Sequence, residues 1–531
     1  MSVMTPYRSA LSAGRDGFAQ LLHAEWTKFR TVRGWVIGMI VAVLVTAGFG
    51  VLGAGSSQSS CQHIDNGVSG PVRHGGACTS SFPLGPGGEP VTDSFYFVHQ
   101  QLTGDGTITV RVASMTGLLS TANSGNSNPT QPGLEEWAKA GIIIKSSLTP
   151  GSPYAAMMTT AGHGVRMQWN YTGDTAGLSG AVGPANPRWL RLTRSGDVIT
   201  GYDSADGTHW TEVGAVTLAG LPRTVQAGLF TASPGESQES QSFGGGVSGG
   251  GGPTQATATF DQVSGLGSAW AGEYIGGADA SGIGSYHQAG GRFTVTGSGD
   301  IAPIPAGHGG ALDSAATIAD YLLGTFLGLI ALGVVAAMFM TAEYRRSLIR
   351  LTLAASPRRG RVLAAKAVVI AAVAFVVGLA GAALAVLLSK AITHARGYYE
   401  YPISGMTEVK VIVGTGLFAA VAAVFALAVG AITRRGATAV VCVIVAIVLP
   451  YFLAVSAAVP LSAGDWLLRI TPAAGFALQS AYPKYDQVKD IIYSPLSGYY
   501  PLSWWAGLLV LCAWTAAALG VAAYLLRRRD A

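Results

Sequence analysis

The stretch TAEYRRSLIRLTLAASPRRGRVLAAK, residues 341–366, holds seven cations and one carboxylate. They are Arg345, Arg346, Arg350, Arg358, Arg359, Arg361 and Lys366 against Glu343. Such a set does no acid–base chemistry at neutral pH, because guanidinium and ammonium groups stay protonated. It binds anions: lipid headgroups, nucleic acid, or the carboxylates of a partner protein. Tyr344, Leu348 and Leu351 recur at i, i+4 and i+7, so residues 343–354 read as an amphipathic helix. Ser356-Pro357 stops it. Glu343 and Arg346 stand three apart and could pair along it, leaving Arg345 and Arg350 for headgroups or a partner.

The remaining candidates are fewer. Cys61 and Cys78 stand in a Gly/Ser-rich stretch with little core of its own. A disulfide would close a short loop there, contributing about 3 kcal/mol. His63 and His74 are near, but their spacing fits no common zinc pattern. Cys442 and Cys512 lie inside apolar runs and read as small buried hydrophobes. Trp169, Tyr171, Tyr202, His209 and Trp210 could form a sugar-stacking platform; the alternative is that they are core or rim aromatics. Glu135 and Glu136 are adjacent and would point to opposite faces of a strand, which is no glycosidase pair. No Gly-Lys dipeptide occurs, so the chain has no Walker A loop for ATP.

The elements that must carry these residues follow from composition. The 531 residues are 49% hydrophobic and only 11% charged, with mean hydropathy +0.39, against about 25% charged for an average soluble protein. Six apolar runs have the length that crosses a hydrocarbon core: 35–55, 318–341, 362–388, 411–433, 437–459 and 503–526. The first starts too late and runs too long for a cleaved signal peptide. Arg434 and Arg435 between the fourth and fifth predict a tight turn rather than one long helix. With the N-terminus inside, the inner segments carry 16 Lys/Arg and the two short outer loops 6. This bias places both termini, 1–34 and 527–531, in the cytoplasm of a plasma-membrane protein, with 342–361 also inside. Residues 56–316 then lie outside, and 460–502 form an outer loop that could re-enter. The exterior block carries net charge −8 and the remainder +13, so the overall +5 says nothing of nucleic acid, and none is expected. Phe18, Leu21, Leu22, Trp26 and Phe29 fall at helical spacing among Lys28, Arg30 and Arg33. They predict an amphipathic helix in the inner interface before the first span. The spans hold almost no ionisable residue near the midplane, unlike most proton- or sodium-driven carriers.

The exterior block reads as many short strands with turn signals, a β-sandwich or barrel. TITVRVASM (107–115) alternates apolar and polar residues, and SGD and ADG sit where tight hairpins need them. DSFYFVHQQLTGDGTITVRV, WAKAGIIIKSS, SPYAAMMTT, GVRMQWNY, RWLRLTRSGDVITGYDSADGTHW and VQAGLFTAS, in this order, resemble the concanavalin A-like (laminin G-like) sandwich domains of bacterial carbohydrate-active proteins. The resemblance covers about 93–264. GGRFTVTGSGDI (290–301), which usually precedes the D-x-F-x-F-V segment, here follows it, beyond a Gly-rich loop at 244–252. This predicts a permuted sandwich whose last strand fills the place of the first, with both ends returning to the membrane together. A cell-wall polysaccharide is the ligand such a domain implies, with Trp169, Tyr171, Tyr202 and Trp210 as contacts.

AEWTKFRTVRGW, the basic stretch at 341–366 and LLRITPAAGFALQSAYP (467–483) resemble the ABC-2 type permeases of high-GC Gram-positive bacteria. The match covers 16–55 and 313–530. It implies a six-helix all-α bundle with the all-β domain inserted after the first span. It also implies an exporter energised by a separate dimeric ATP-binding subunit, with a second permease copy or a related permease beside it. ATP and Mg would be used by the partner; no cofactor, metal or catalytic residue is expected on this chain. The helix after the second span would touch the ATPase through Glu343, Tyr344, Arg345, Arg346, Leu348, Arg350, Pro357, Arg358 and Arg359. The pre-span helix, with Glu25, Trp26, Lys28 and Arg30, would be an interfacial elbow. The competing readings are a membrane-anchored glycan sensor or lectin, for which one span would suffice, and a glycoside hydrolase, which the missing carboxylate pair disfavours.

Overall fold

A computed structural model describes residues 17–56, 72–74, 77–79, 82–120, 130–241, 247–276, 284–307, 315–345, 359–396, 398, 400–456, 458–488 and 493–528. The helices are α1 (Phe18–Thr31), α2 (Arg33–Ser56), α3 (Thr325–Arg345), α4 (Arg359–Arg396), α5 (Gly405–Thr433), α6 (Gly436–Val455), α7 (Leu461–Ile470) and α8 (Trp504–Arg528). Among the described residues six segments are long and apolar enough to cross a membrane: α2, Ile318–Tyr344 with nearly all of α3, α4, α5, α6 and α8. They are apolar all round, so they need protein or lipid on every side.

The helix boundaries have local causes. Thr317 and Asp320 form a reciprocal capping box at the head of Ile318–Tyr321, the turn that leads into α3. α5 ends because Arg434 turns left-handed, at φ 57°, and α6 starts two residues later. The expected tight turn is there. In α6 a π-helical turn, Ile444–Val448, precedes Pro450. Proline has no N–H to give to the preceding turn, and the wider turn accommodates its ring. α4 is far longer than its apolar run. Its 38 residues span about 57 Å at 1.5 Å each. Its far end is held by Lys390, 2.6 Å from Glu408 and 3.4 Å from Glu400.

The loop between α6 and α8 folds back into the bundle. After α7 comes a 3₁₀ helix, Pro472–Gln479, and every one of its residues is buried. Small residues let it in. A methyl group on Gly475 would lie 2.5 Å from the Phe418 ring, and one on Gly507 or Gly414 would strike the backbone carbonyl of Ala474 or Leu478. Gln479 closes the element. Its amide donates to Thr325 Oγ1 (3.0 Å) on α3 and Thr415 Oγ1 (3.1 Å) on α5.

Between α2 and α3 lies a two-sheet antiparallel domain. The first sheet runs, in spatial order, Gly173–Ala176, Val165–Trp169, Tyr154–Thr160, Lys139–Lys145, Thr224–Ala232, Phe95–Thr103 and Ala271–Ile275. The second runs Thr211–Thr217, Val198–Ser204, Arg188–Ser195, Gly106–Ser120, Gln255–Ser264, Arg292–Gly297 and Gly284–Ala289. Alternation sends Ile108, Val110 and Val112 inward against Leu190, Leu192 and Ile142. The first sheet's other face is buried too: its Phe95, Phe97, Tyr154 and Phe230 pack with Val91, Tyr171 and Ile301. Arg292–Gly297, from the displaced motif, sits between Gln255–Ser264 and Gly284–Ala289. The incoming strand Val91–Asp93 pairs with the outgoing strand Ile301–Pro303. The ends of the inserted domain therefore meet at the helical bundle.

Candidate functional site

At the end of the bundle opposite the sandwich, three helices share one buried charge cluster. α1 lies against α4 and turns Glu25 and Phe29 inward, with Glu25 only 1% exposed. Lys366, two turns into α4, is fully buried. Its ammonium donates to Glu25 Oε2 at 2.6 Å and to Glu343 Oε1, in the last turn of α3, at 2.7 Å. Lys28 completes the ring from the rim, 2.8 Å from Glu25 Oε1 and 3.1 Å from Glu343 Oε1.

Two carboxylates and two ammonium groups cancel, which is how charges survive away from water. The Phe339 ring lies under the Lys366 ammonium, 4.4 Å from centroid to Nζ. Phe29 and Trp35 pack edge-on against that ring at 5.7 and 5.0 Å. Burial by itself lowers the pKa of Lys28. The hydrogen bond with Glu25 and the charges of Glu343 and Glu25 outweigh it, and the group ends above its ordinary value.

The cluster frames the basic stretch. Glu343 is its first charge and Lys366 its last, so both borders are tied to each other and to α1. Tyr344 lies under the guanidinium of Arg434 at 5.1 Å. Arg359, at the head of α4, donates to the carbonyl of Leu526 near the end of α8. Arg346, Leu348, Arg350, Pro357 and Arg358 lie outside the described residues, as does the side chain of Arg345. Glu343 is held by Lys366 and Lys28; its expected helix partner, Arg346, is among the residues outside the described ones. α1 also differs from a helix with one lipid-facing apolar stripe. Phe29 and Glu25 face the bundle, while Phe18 and Trp26 are exposed and Arg30 points outward.

Sequence reasoning missed Lys366, which reads as the last cation of a flank. A signal was available. Glu25 falls between Leu21, Leu22 and Phe29 on the apolar side of α1, where a carboxylate needs a buried cation.

Of the aromatic candidates on the inserted domain, Tyr202 and Trp210 lie near each other and Tyr171 and Trp169 lie elsewhere. Tyr171 is 1% exposed, and its hydroxyl donates to Asp93 at 2.7 Å. It is part of the covered face of the first sheet and offers no surface to a sugar. Trp169 packs against the core between the sheets. Tyr202 and Trp210 belong to the second sheet's outer side. Tyr202 stands opposite Arg191, and the Arg191 guanidinium lies 3.7 Å above the Trp210 ring. Asp206 caps the backbone of Thr208 and His209 in the turn before Trp210. Cys61 and the side chain of Cys78 lie outside the described residues.

A family model described as "ABC-2 family transporter protein" matches residues 198–531. The chain belongs to this family. The match takes in α3 to α8 with the cluster residues Glu343 and Lys366, and it begins inside the inserted β domain. The ABC-2 chain is thus a multi-pass membrane permease with an inserted β domain, and its family works with ATP-binding partners. No curated protein matches it. Among solved structures it is similar to a functionally unknown protein from Saccharomyces cerevisiae, at 16% identity, 38% of this chain, 94% of that one and TM-score 0.21. It is similar to scytalido-glutamic peptidase at 9% identity, 40% of this chain, 100% of that one and TM-score 0.21. It is also similar to a xylan β-1,4-xylosidase from Bacillus halodurans at 13% identity, 31% of this chain, 34% of that one and TM-score 0.15. Scores this low define no type of sandwich.

Proposed function

We propose that this ABC-2 permease is the membrane subunit of an ATP-driven exporter and that its basic end receives the ATP-binding partner on the cytoplasmic side. The observation that supports this is the Glu25–Lys28–Glu343–Lys366 cluster. It joins the pre-span helix and both borders of the basic stretch into one unit. A partner that closes on ATP and Mg and pushes on residues 346–358 would move α1, α3 and α4 together, which rocks a bundle instead of bending one loop. Arg345, Arg346, Arg350, Arg358 and Arg359 supply the cations for the partner or for headgroups, and Leu348 the apolar seat. A second permease copy, identical or related, completes the transporter. The exterior domain, which faces the cell wall, takes a polysaccharide ligand.

The test compares Arg345→Lys plus Arg346→Lys, which keep charge, with Leu348→Asp, which breaks the seat. Co-purification of the ATPase and its permease-stimulated hydrolysis are measured, with membrane insertion as control. Leu348→Asp is expected to insert normally and to lose both. Full coupling by an inserted Leu348→Asp protein would leave the arginines as no more than a positive flank.

A further inference from the structure

The exterior domain does not hang from the bundle on two independent leashes. Its incoming and outgoing strands pair with each other, and each is fixed to an opposite end of one strand, Lys139–Lys145. Lys145 Nζ lies 2.7 Å from Asp93 Oδ2, on the incoming strand. Lys139 Nζ lies 2.6 Å from Asp300 Oδ1 and 2.8 Å from the carbonyl of Ile301, on the outgoing side. Both lysines are 0% exposed. The two lysines thus tie both leashes to the same strand of the first sheet, although Asp93 Oδ1 is buried without a hydrogen-bond partner among the described residues.

The other side of the same joint is the loop that leaves the buried 3₁₀ helix. Gln487 donates its side-chain amide to the backbone carbonyl of Tyr171 at 3.1 Å. Tyr171 in turn gives its hydroxyl to Asp93 and sits beside Lys145, 3.1 Å from Nζ to Oη. Tyr499 accepts from the backbone N–H of Ala306 at 3.0 Å, and Tyr482 from that of Ile318 at 3.3 Å. Tyr482 and Tyr499 are buried. An unbroken path therefore runs from Lys145 and Asp93 through Tyr171 and Gln487 to the segment that Gln479 pins between α3 and α5.

We infer that the sandwich is coupled to the Pro472–Gln479 element through Gln487 and Tyr171, so that the exterior domain and this buried segment shift together. Motion of one then biases the other, and by linkage the bias is equal in both directions. A ligand on the exterior domain would change the energy of moving the buried segment, and movement of that segment during transport would change the domain's affinity. Only the last arm of the test below rests on the reading of the chain as an ATP-driven permease.

Amide hydrogen exchange is measured on the full chain in lipid nanodiscs, for the parent, Gln487→Ala and Tyr171→Phe. Gln487→Ala removes one donor outside the sandwich core. It is expected to speed exchange about fivefold both at 472–479 and at 168–174, with Thr224–Ala232 unchanged. Faster exchange confined to 485–488 overturns the coupling. Tyr171→Phe keeps the ring and the carbonyl but removes the hydroxyl's bond to Asp93, so exchange at 482–488 should rise across the joint. No change there overturns the inference even if Gln487→Ala misfolds. In the presence of the ATPase, Gln487→Ala should alter stimulated hydrolysis at least twofold. A parent protein that stimulates no ATPase sinks the exporter reading and leaves the exchange result to decide the coupling.

Discussion

Lys366 Nζ lies 2.6 Å from Glu25 Oε2, across 341 residues of sequence, and the same nitrogen holds Glu343. One ammonium group thus joins the helix before the first span to the end of the second and the start of the third. Lys366→Met leaves two buried carboxylates with only the half-exposed Lys28 between them, so a loss of about 3–5 kcal/mol is expected. Thermal unfolding in detergent reads it. Lys366→Met combined with Glu25→Gln and Glu343→Gln should recover most of the loss, because the uncompensated charges are gone. A triple variant no more stable than the single one would show that packing, not charge, holds the joint.

The pH dependence of the joint follows from Lys28. Its folded pKa lies above its unfolded value of 10.5. The stabilisation is therefore complete below that value and is lost as pH rises through the folded pKa. Exchange protection of α1 should stay flat from pH 6 to 9 and fall above about 10.5. Lys28→Met should be insensitive to that alkaline step. A fall near neutrality in the parent would mean that another group controls the helix.

Glycines in α8 make opposite forecasts. In an exposed helix interior, Gly→Ala stabilises by roughly 0.5–1 kcal/mol. Gly520 has open space around it, so Gly520→Ala should gain that or be neutral. At Gly507 the added methyl strikes the carbonyl of Ala474 in the buried 3₁₀ helix. Gly507→Ala should therefore destabilise by about 1–3 kcal/mol. Melting temperatures of the two variants, side by side, check the sign.

On the inserted domain the aromatic candidates separate. Trp210→Ala and Tyr202→Ala are expected to weaken binding to a cell-wall polysaccharide, with each lost stacking surface worth about 1 kcal/mol. Tyr171→Phe should leave it unchanged, because Tyr171 is buried. Pull-down of whole-chain nanodiscs with purified wall material is the assay. Unchanged binding in Trp210→Ala and Tyr202→Ala would remove the second sheet's outer side from consideration.

Topology has a direct check. Ala205→Cys, on an exposed turn of the sandwich, should react with an impermeant maleimide in intact cells, and Gly360→Cys, at the head of α4, should not. Labelling of position 360 from outside would invert the orientation.

Helices long enough to cross a membrane, a block of alternating strands and the turn at Arg434 were all legible in the sequence, because each depends on local rules. Length against bilayer thickness, a period of two in 107–115, and an arginine pair between two apolar runs need no knowledge of distant residues. The pre-span helix was legible for the same reason. What the helix before the first span buries was not. Glu25 looked like one charge among several, and only the approach of α4 shows it to be the partner of Lys366. Tyr171 looked like an aromatic available for stacking until the covering of the first sheet's second face placed its hydroxyl on Asp93. The re-entry of Pro472–Gln479 likewise depends on Gly414 and Gly507, which lie 58 and 35 residues from Pro472 and act only by being small where two backbones touch. Periodicity and length are properties of a segment. Charge compensation and close approach are properties of pairs, and the chain decides which residues form pairs only when it has folded.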